Sequence, residues 1–437
     1  MIRQERQLSR VAAGMPPRRM KLHLPRHAVL PGCRPAGFQA CDSKGLKTSA
    51  QKAGRNARAT AGREARPTFV RTQLLLTLVA FLSLPSFAAP PPALSETTGR
   101  AGIVVSVSPP ASDVGVAILK QGGNAVDAAI AVEFALAVTW PEAGNIGGGG
   151  FMMVHPADQR PPVCIDYRET APLSATPNMF GPEDGPHTHK IVGVPGTVHG
   201  MVTAHRQFGS LPWRSLVLPA LRLATDGFTV DAPLSDSLND ALQNKDIQHG
   251  AHHQELIRVY GKRDPVSGEQ APWKAGDRLV LPDLASTLHR IAEEGANGFY
   301  DGPVAALIVA EMNRGDGRIT REDLARYRAR VRPAIHGTFR GYDVYGPPPP
   351  SSGGICLVQM LHVLETLDLR GHHRFEARTL HLMAESMKRA FRDRARFLGD
   401  TDYVPSHPEL ITEAYARDVA EGIPLDKATP SASLAGE

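Results

Sequence analysis

Residues 125–138 are the feature that most constrains the fold, because they predict a helix that is apolar on nearly every side. Only Asp127 and Glu133 are charged in this stretch, and Asn124 before it is a favourable N-cap residue. A helix without a polar face has to be covered by other elements all round. We therefore expect a layered protein with this helix inside it.

Short apolar runs around this helix predict strands. Residues 103–107 are expected to form a short buried strand, and 151–154 and 163–167 two more, joined by a polar turn at 158–160. Further helices are expected at 112–120, 215–226, 283–295 and 302–314, and an exposed excursion at the polar, histidine-rich residues 242–276. Strands interleaved with buried helices predict a layered α/β (α+β) architecture.

The last strong helical pattern covers residues 377–398 and has two distinct faces. One face is basic, and we expect it to be solvated surface, with the apolar stripe opposite it. The stripe consists of Leu380, Met383, Met387, Phe391, Ala395 and Leu398, and the basic face of Lys388, Arg389, Arg392 and Arg396.

The positive charge of the chain is concentrated at its N-terminus. The formal charge is +5 with a pI near 9.0. Residues 1–88 hold 16 Lys and Arg against 3 Asp and Glu, which leaves 33 of the 49 basic and 41 of the 44 acidic residues after residue 88. The remainder is acidic, so its net charge does not support nucleic acid as a partner.

Residues 74–84 form an apolar stretch that predicts a signal peptide. Arg63, Arg66 and Arg71 precede it, and small residues near Ala88 fit a cleavage site. The alternative is a membrane anchor, but about 11 apolar residues are too few to span roughly 30 Å of hydrocarbon. We expect 1–88 to be an N-terminal extension and signal peptide, and 89–437 to be exported to the periplasm or beyond.

Cysteines and histidines give no pattern of metal ligands. Cys33 and Cys41 lie in the extension, and Cys164 and Cys356 are expected to be buried apolar side chains, with a single disulfide as the alternative. The histidines lack a carboxylate or cysteine at ligand spacing, so we expect no metal and no cofactor. They group as His187/His189, His249/His252/His253 and His372/His373.

Four consecutive glycines, 147–150, follow the apolar helix. A phosphate-binding loop would have a Lys-Ser/Thr after it, and a dinucleotide fingerprint would have a strand before and a helix after it. Here a helix precedes the glycines and a strand follows them, and this order excludes a nucleotide site. Ordering four glycines is costly, so we expect positive φ or close backbone approach there, beside an active site.

Arg168 follows directly after a predicted buried strand. Its guanidinium could hold a substrate carboxylate by two parallel hydrogen bonds, or form a structural ion pair with Glu169 or Asp166. Composition alone favours the ion pair. Prolines 347–350 before 351–354 predict an extended segment that turns sharply into a buried element, or alternatively a polyproline ligand.

Ten ordered segments of the chain resemble the large subunit of bacterial γ-glutamyltranspeptidases. They are 122–129, 144–152, 168–172, 194–196, 299–300, 319–324, 341–342, 348–354, 383–385 and 393–394. The resemblance implies an αββα sandwich of the N-terminal-nucleophile hydrolase type and the hydrolysis or transfer of γ-glutamyl groups, as in glutathione. It also implies that the arginine of the Arg-Glu-Thr-Ala-Pro motif, here Arg168, binds the α-carboxylate of the substrate.

The sequence departs from the family pattern at its end. The resemblance implies a processing site beyond Glu437, followed by a small subunit with the nucleophilic threonine; Thr401, within 399–402, belongs to the large-subunit pattern. We therefore expect no catalytic residue in 89–437, a large-subunit domain that is incomplete alone, and γ-glutamyl substrate and small subunit as partners. The alternatives are an inactive remnant or the large subunit of a related acylase. Glu133 replaces an expected smaller residue.

Overall fold

The computed structural model describes residues 98–435 except 183, 186, 245–252, 368 and 370. The predicted extension and signal peptide at 1–88 lie outside these residues. The elements of the first half are α1 (Pro109–Lys120), α2 (Ala125–Thr139), β1 (Phe151–Val154), β2 (Val163–Asp166), α3 (Thr197–Phe208), α4 (Trp213–Asp226), β3 (Phe228–Thr229), α5 (Ala232–Gln243) and α6 (His253–Tyr260).

The second half continues the alternation of short strands and helices. Its elements are β4 (Lys262–Arg263), β5 (Gln270–Ala271), β6 (Arg278–Leu279), α7 (Pro282–Glu294), α8 (Asn297–Tyr300), α9 (Gly302–Arg314), α10 (Arg321–Arg326), β7 (Arg330–Pro333), β8 (Ile335–Phe339), β9 (Tyr342–Gly346), α11 (Gly353–Thr366), α12 (Ala377–Phe397), α13 (Glu413–Glu421) and α14 (Ser431–Ala435). No helix in the described part of the chain combines the length and apolar character needed to cross a membrane.

Helix α2 lies inside the main core, as its apolar sequence predicts. Ile130 and Phe134 are fully buried, and α1 and α4 pack against it. The Asn124 side chain accepts the N–H groups of Val126 and Asp127, and the Asp127 carboxylate accepts the N–H of Asn124 in return. This capping box satisfies amides at the start of the helix that have no partner within it.

A three-stranded antiparallel sheet, in the order β1-β2-β7, packs beside this core. Phe151 pairs with Asp166 at one end of β1 and β2, and Asp166 pairs with Arg330 of β7. The strands predicted at 151–154 and 163–167 are therefore confirmed, apart from the last residue. This register places Arg168 just beyond the end of the central strand.

The strand predicted at 103–107 is wrong. Among the described residues this segment forms no strand. Ile103, Val105 and Val107 are 45%, 57% and 59% exposed, while Val104 faces Gly115 of α1. Exposed and half-buried residues alternate along this segment. The sequence does not show this alternation, because every position from 103 to 107 is Val, Ile or Ser.

The helices predicted at 215–226, 283–295 and 302–314 are confirmed to within two residues as α4, α7 and α9. Of the range 242–276 the structure describes 242–244 and 253–276, and this part is not wholly exposed, because Trp273 is buried and its indole N–H donates to Tyr260 O at 2.7 Å. Cys164 and Cys356 are buried free thiols, as predicted. Burial raises the pKa of Cys164 to about 12.

Helix α12 is present as predicted, but the predicted assignment of its faces is wrong. Leu380, Met383, Met387 and Phe391 are 41–50% exposed. The opposite face is buried although it carries Glu385, Arg389 and Asp393, each below 5% exposed. These charges are tolerated because Arg389 donates to Glu385 and to Gly422 O, and Asp393 accepts a hydrogen bond from Arg392.

Candidate active site

Arg168 extends into solvent from the end of β2. Its side chain is 58% exposed, and its Nε lies 3.4 Å from Glu169 Oε2. An exposed pair of this kind contributes about 0–1 kcal/mol to stability. The ion pair with Glu169 thus exists, but it is weak enough for a ligand carboxylate to displace.

Asp166, the other ion-pair partner considered for Arg168, is occupied elsewhere. Its Oδ2 accepts Arg332 Nε at 2.8 Å, and its Oδ1 accepts the backbone N–H of Arg168 at 3.1 Å. Arg332 also reaches Asp402 at 2.8 Å, and its hydrogen bond lowers the pKa of that carboxyl group. Asp166, itself held by Arg332, therefore fixes the backbone of Arg168 and does not pair with its guanidinium, which contacts Glu169.

The glycine run lies directly against the Arg168 segment. A Cβ on Gly149 would lie 2.3 Å from Tyr167 O and 2.9 Å from Glu169 N. Gly150 exchanges backbone hydrogen bonds with Tyr167 at 3.0 and 3.3 Å. The close approach that the sequence predicts is confirmed, whereas the alternative of positive φ is wrong, since none of glycines 147–150 has it.

The start of α3 completes this arrangement. The N–H groups of Gly196 and Thr197 donate to Gly148 O at 2.7 and 3.1 Å, and Val194 N donates to Thr170 O at 2.8 Å. The segments 148–150, 167–170 and 194–197 therefore share one network of backbone hydrogen bonds. Arg168 lies in the middle of it, on backbone that has little freedom to move.

Replacing Gly149 with alanine is expected to lower stability by about 1–3 kcal/mol, because the new methyl group meets fixed backbone atoms. Thermal unfolding followed by circular dichroism measures this loss. Gly147→Ala is the matched control, because no atom lies within 4 Å of its added Cβ. Equal melting temperatures for the two variants would contradict the close packing.

Comparison with known proteins assigns the chain to a family. The family model described as Gamma-glutamyltranspeptidase matches residues 111–436. The chain belongs to the gamma-glutamyltranspeptidase family. It is 41% identical over 386 residues to the glutathione hydrolase proenzyme of Escherichia coli (strain K12), a match that covers 84% of the chain and 65% of that protein. It is also 36% identical over 354 residues to the acylase ACY 1 proenzyme of Pseudomonas sp. (strain V22), covering 78% and 61%.

A solved gamma-glutamyltranspeptidase structure shows the same fold. The Helicobacter pylori structure superimposes with a TM-score of 0.71 at 38% identity, covering 78% of this chain and 98% of that chain. The predicted fold class, that of the N-terminal-nucleophile hydrolases, is confirmed by this likeness. The chain spans less than two thirds of the length of the E. coli proenzyme.

Another family segment, residues 319–324, braces the loop that follows Arg168. Thr320 caps α10 by accepting the N–H of Asp323, and Asp323 accepts the N–H of Thr320 in return. The second oxygen of Asp323 accepts Leu173 N at 2.7 Å. This buried carboxylate thus joins α10 to the end of the Arg168 motif.

Two residues of the site were missed by sequence reasoning. Tyr327 donates its hydroxyl to Arg168 O at 2.7 Å, and Arg332 binds Asp166. Nothing in the sequence near Tyr327 or Arg332 signals these contacts, which span 159 and 166 residues. Asp402 lies within the family pattern at 399–402 and could have been singled out from it.

Glu133 lies half-buried on α2, and burial raises the pKa of its carboxyl group. Within the described residues, no group of three His, Cys, Asp or Glu side chains could hold a metal ion. His249 and His252 lie outside these residues. His189 contacts the carboxylate of Glu311, and His372 contacts that of Glu376.

A cavity of about 520 Å³ adjoins the glycine run but does not include Arg168. Residues 144–147 line one side of it, and Arg258 and Arg278 lie at its edge. Arg258 is paired with Glu255 and Asp283, and Arg278 donates to a backbone carbonyl. Neither arginine lies in a segment that resembles the family, whereas Arg168 does, and we therefore place the candidate site at Arg168 and not in this cavity.

Proposed function

We propose that this chain is the large subunit of an enzyme that hydrolyses glutathione and transfers the γ-glutamyl group of related compounds. The exposed guanidinium of Arg168 on its braced backbone carries the proposal. It suits a substrate that ends in an α-carboxylate, which an arginine can bind by two parallel hydrogen bonds. The signal at residues 74–84 supports export of the domain 89–437 to the periplasm or beyond.

We propose that a threonine on a small subunit of the same precursor breaks the amide bond. Its hydroxyl oxygen attacks the γ-carbonyl carbon, and its own α-amine takes the hydroxyl proton and passes it to the departing amine. The ester that forms is then cleaved by water or by an amino acid, which releases the threonine. In this scheme Arg168 holds the glutamyl end while the small subunit performs the chemistry.

The lengths of the relatives and the exposed apolar surface support the small subunit as a partner. The chain covers 98% of the matched H. pylori chain but 65% of the E. coli proenzyme. The apolar face of α12 is exposed to solvent, and so are Ile103, Val105 and Val107. Apolar surface of this kind marks an interaction site, and we assign it to the small subunit.

The 437-residue polypeptide alone is expected to release no nitroaniline from γ-glutamyl-4-nitroanilide, and to bind a dye that reports exposed apolar surface. Co-expression with the small subunit should produce activity and lower the dye fluorescence, because assembly covers the apolar face. Turnover by the 437-residue polypeptide, or a chain that binds no dye, would overturn the proposal.

A second candidate is an acylase that acts on glutaryl amides, since one relative bears an acylase name. Glutaryl amides keep the carboxylate but lack the α-amino group of a γ-glutamyl substrate. The assembled enzyme should prefer γ-glutamyl-4-nitroanilide over glutaryl-4-nitroanilide by more than about tenfold, the value of one charge-assisted hydrogen bond. The reverse preference would favour the acylase.

A further inference from the structure

Two stacked tyrosines are buried under the Arg168 segment. The rings of Tyr300 and Tyr327 are 5.7 Å apart between centroids and 3° from parallel. They are 8% and 4% exposed, and the His199 ring packs against both in T-shaped geometry, with centroids 6.0 and 5.9 Å away. This packing restricts the orientation of both rings.

Each tyrosine donates its hydroxyl to a backbone carbonyl. Tyr327 donates to Arg168 O at 2.7 Å, and Tyr300 donates to Pro195 O at 2.8 Å. A Cβ on Gly196 would lie 2.2 Å from the Tyr327 hydroxyl, so the absence of a side chain at Gly196 is what allows this hydroxyl its place. Burial raises the pKa of Tyr327 well above its usual range, which keeps the phenol protonated and a donor.

The backbone of Arg168 is thereby held by hydrogen bonds on both sides of its Cα. Asp166 binds its N–H at 3.1 Å and Tyr327 binds its carbonyl, whereas the side chain itself has only the weak contact with Glu169. This backbone fixes the position of the Arg168 Cα, from which the guanidinium extends. A carboxylate clamp loses binding energy when it is misplaced by even about 1 Å.

We propose that Tyr327 is a positioning residue for the substrate carboxylate, acting through the backbone of Arg168. This inference rests on the proposed function, in which Arg168 binds the α-carboxylate. Tyr300 donates the same kind of buried bond to Pro195 O, a carbonyl that does not belong to Arg168, and its hydroxyl also accepts the N–H of His199 at 3.3 Å. It therefore offers a matched control for the structural cost of losing a buried phenol.

The test compares Tyr327→Phe and Tyr300→Phe in this chain assembled with the small subunit. Tyr327→Phe should raise the KM for γ-glutamyl-4-nitroanilide about fivefold to tenfold with kcat within about twofold, which is the loss of one hydrogen bond. Tyr300→Phe should lower the melting temperature similarly and leave KM within about twofold. With a substrate whose α-carboxylate is amidated, the KM difference should vanish.

The outcomes separate this inference from the proposed function. If Arg168→Ala leaves KM unchanged, the proposed function is wrong. If Arg168→Ala raises KM but Tyr327→Phe does not, or Tyr300→Phe raises it equally, Tyr327 is a structural residue only. Should Tyr327→Phe fail to fold, Tyr327→4-aminophenylalanine keeps a ring and a donor, and a raised KM in that variant would contradict positioning through the hydrogen bond.

A crystal structure of the Tyr327→Phe chain tests the same point without turnover. The Arg168 carbonyl should move by more than about 0.5 Å, the tolerance within which a binding group must be held. The corresponding carbonyl of Pro195 should stay in place. An Arg168 peptide that is unmoved would overturn the inference.

Discussion

Replacing Arg168 with alanine is expected to raise the KM for γ-glutamyl-4-nitroanilide in the assembled enzyme by at least about a hundredfold. Hydrogen bonds to charged groups contribute about 1.5–3 kcal/mol each, and the variant loses two of them. Stability should change little, because the side chain is 58% exposed and its ion pair with Glu169 is weak. Initial rates over a range of substrate concentrations measure the effect.

Two further variants sharpen this prediction. Arg168→Lys keeps the charge but loses the planar pair of donors, so KM should rise about tenfold, the value of one such bond. Arg326→Ala is the control, because Arg326 is an exposed arginine paired with Glu322 on α10. Its KM should stay within about twofold of wild type. A KM for Arg168→Ala as low as that of Arg326→Ala would remove Arg168 from the substrate site.

The type and the burial of helix α2 were predicted correctly. Helix α2 has a capping residue at Asn124 and apolar residues on nearly every side, so its type and its burial both follow from local rules. The four glycines likewise predict a close backbone approach. The structure has this approach, since a side chain at Gly149 could not fit beside Tyr167 O. Which segment the glycines approach depends on tertiary packing, and the sequence alone does not predict it.

Helix α12 shows where pattern reasoning fails. An amphipathic pattern predicts that one face of a helix is covered, but it does not predict which partner covers that face. The charged face of α12 is buried against the end of this chain because its charges and the backbone of 422–429 satisfy one another. In the proposed function the apolar face is covered too, by a small subunit.

The candidate site was predicted in part. Arg168 could be singled out because it follows a predicted strand, yet its composition pointed to an ion pair, and the family resemblance changed that interpretation. Tyr327 could not be found, since its contact with Arg168 depends on how β2 and α10 pack. Buried positioning residues carry no local pattern, so only the folded chain reveals them.

Replacing Glu385 of α12 with alanine is expected to lower the free energy of unfolding by about 3 kcal/mol or more, the cost of leaving a buried charge without its partner. The Glu385 carboxylate is 1% exposed and accepts hydrogen bonds from Arg389 Nη1 at 2.6 Å, Lys388 Nζ and Thr429 N. Arg389, whose side chain is buried, would keep only backbone carbonyls as partners, including Gly422 O at 2.5 Å.

The same network predicts how stability depends on pH. Burial alone would raise the pKa of Glu385, but hydrogen bonds from Lys388, Thr429 and Arg389 outweigh it and hold the pKa at about 2. Because this value lies below the ordinary value of 4.5, the carboxylate stabilises the fold fully above pH 4.5 and loses that contribution as the pH falls toward 2. The stability difference between wild type and Glu385→Ala should therefore shrink over this interval.

Urea unfolding of the two chains between pH 7 and pH 2.5 measures both effects. Glu413→Ala is the control, because Glu413 is 81% exposed and its contact with Arg417 is 3.6 Å long. That variant should stay within about 0.5 kcal/mol of wild type. Since Glu385 binds the backbone of Thr429, its loss should also expose the segment from Gly422 to Thr429 to amide hydrogen exchange first. A difference from wild type that stays constant down to pH 2.5, or protection of 422–429 that is unchanged, would show that Glu385 does not hold the end of this chain to α12.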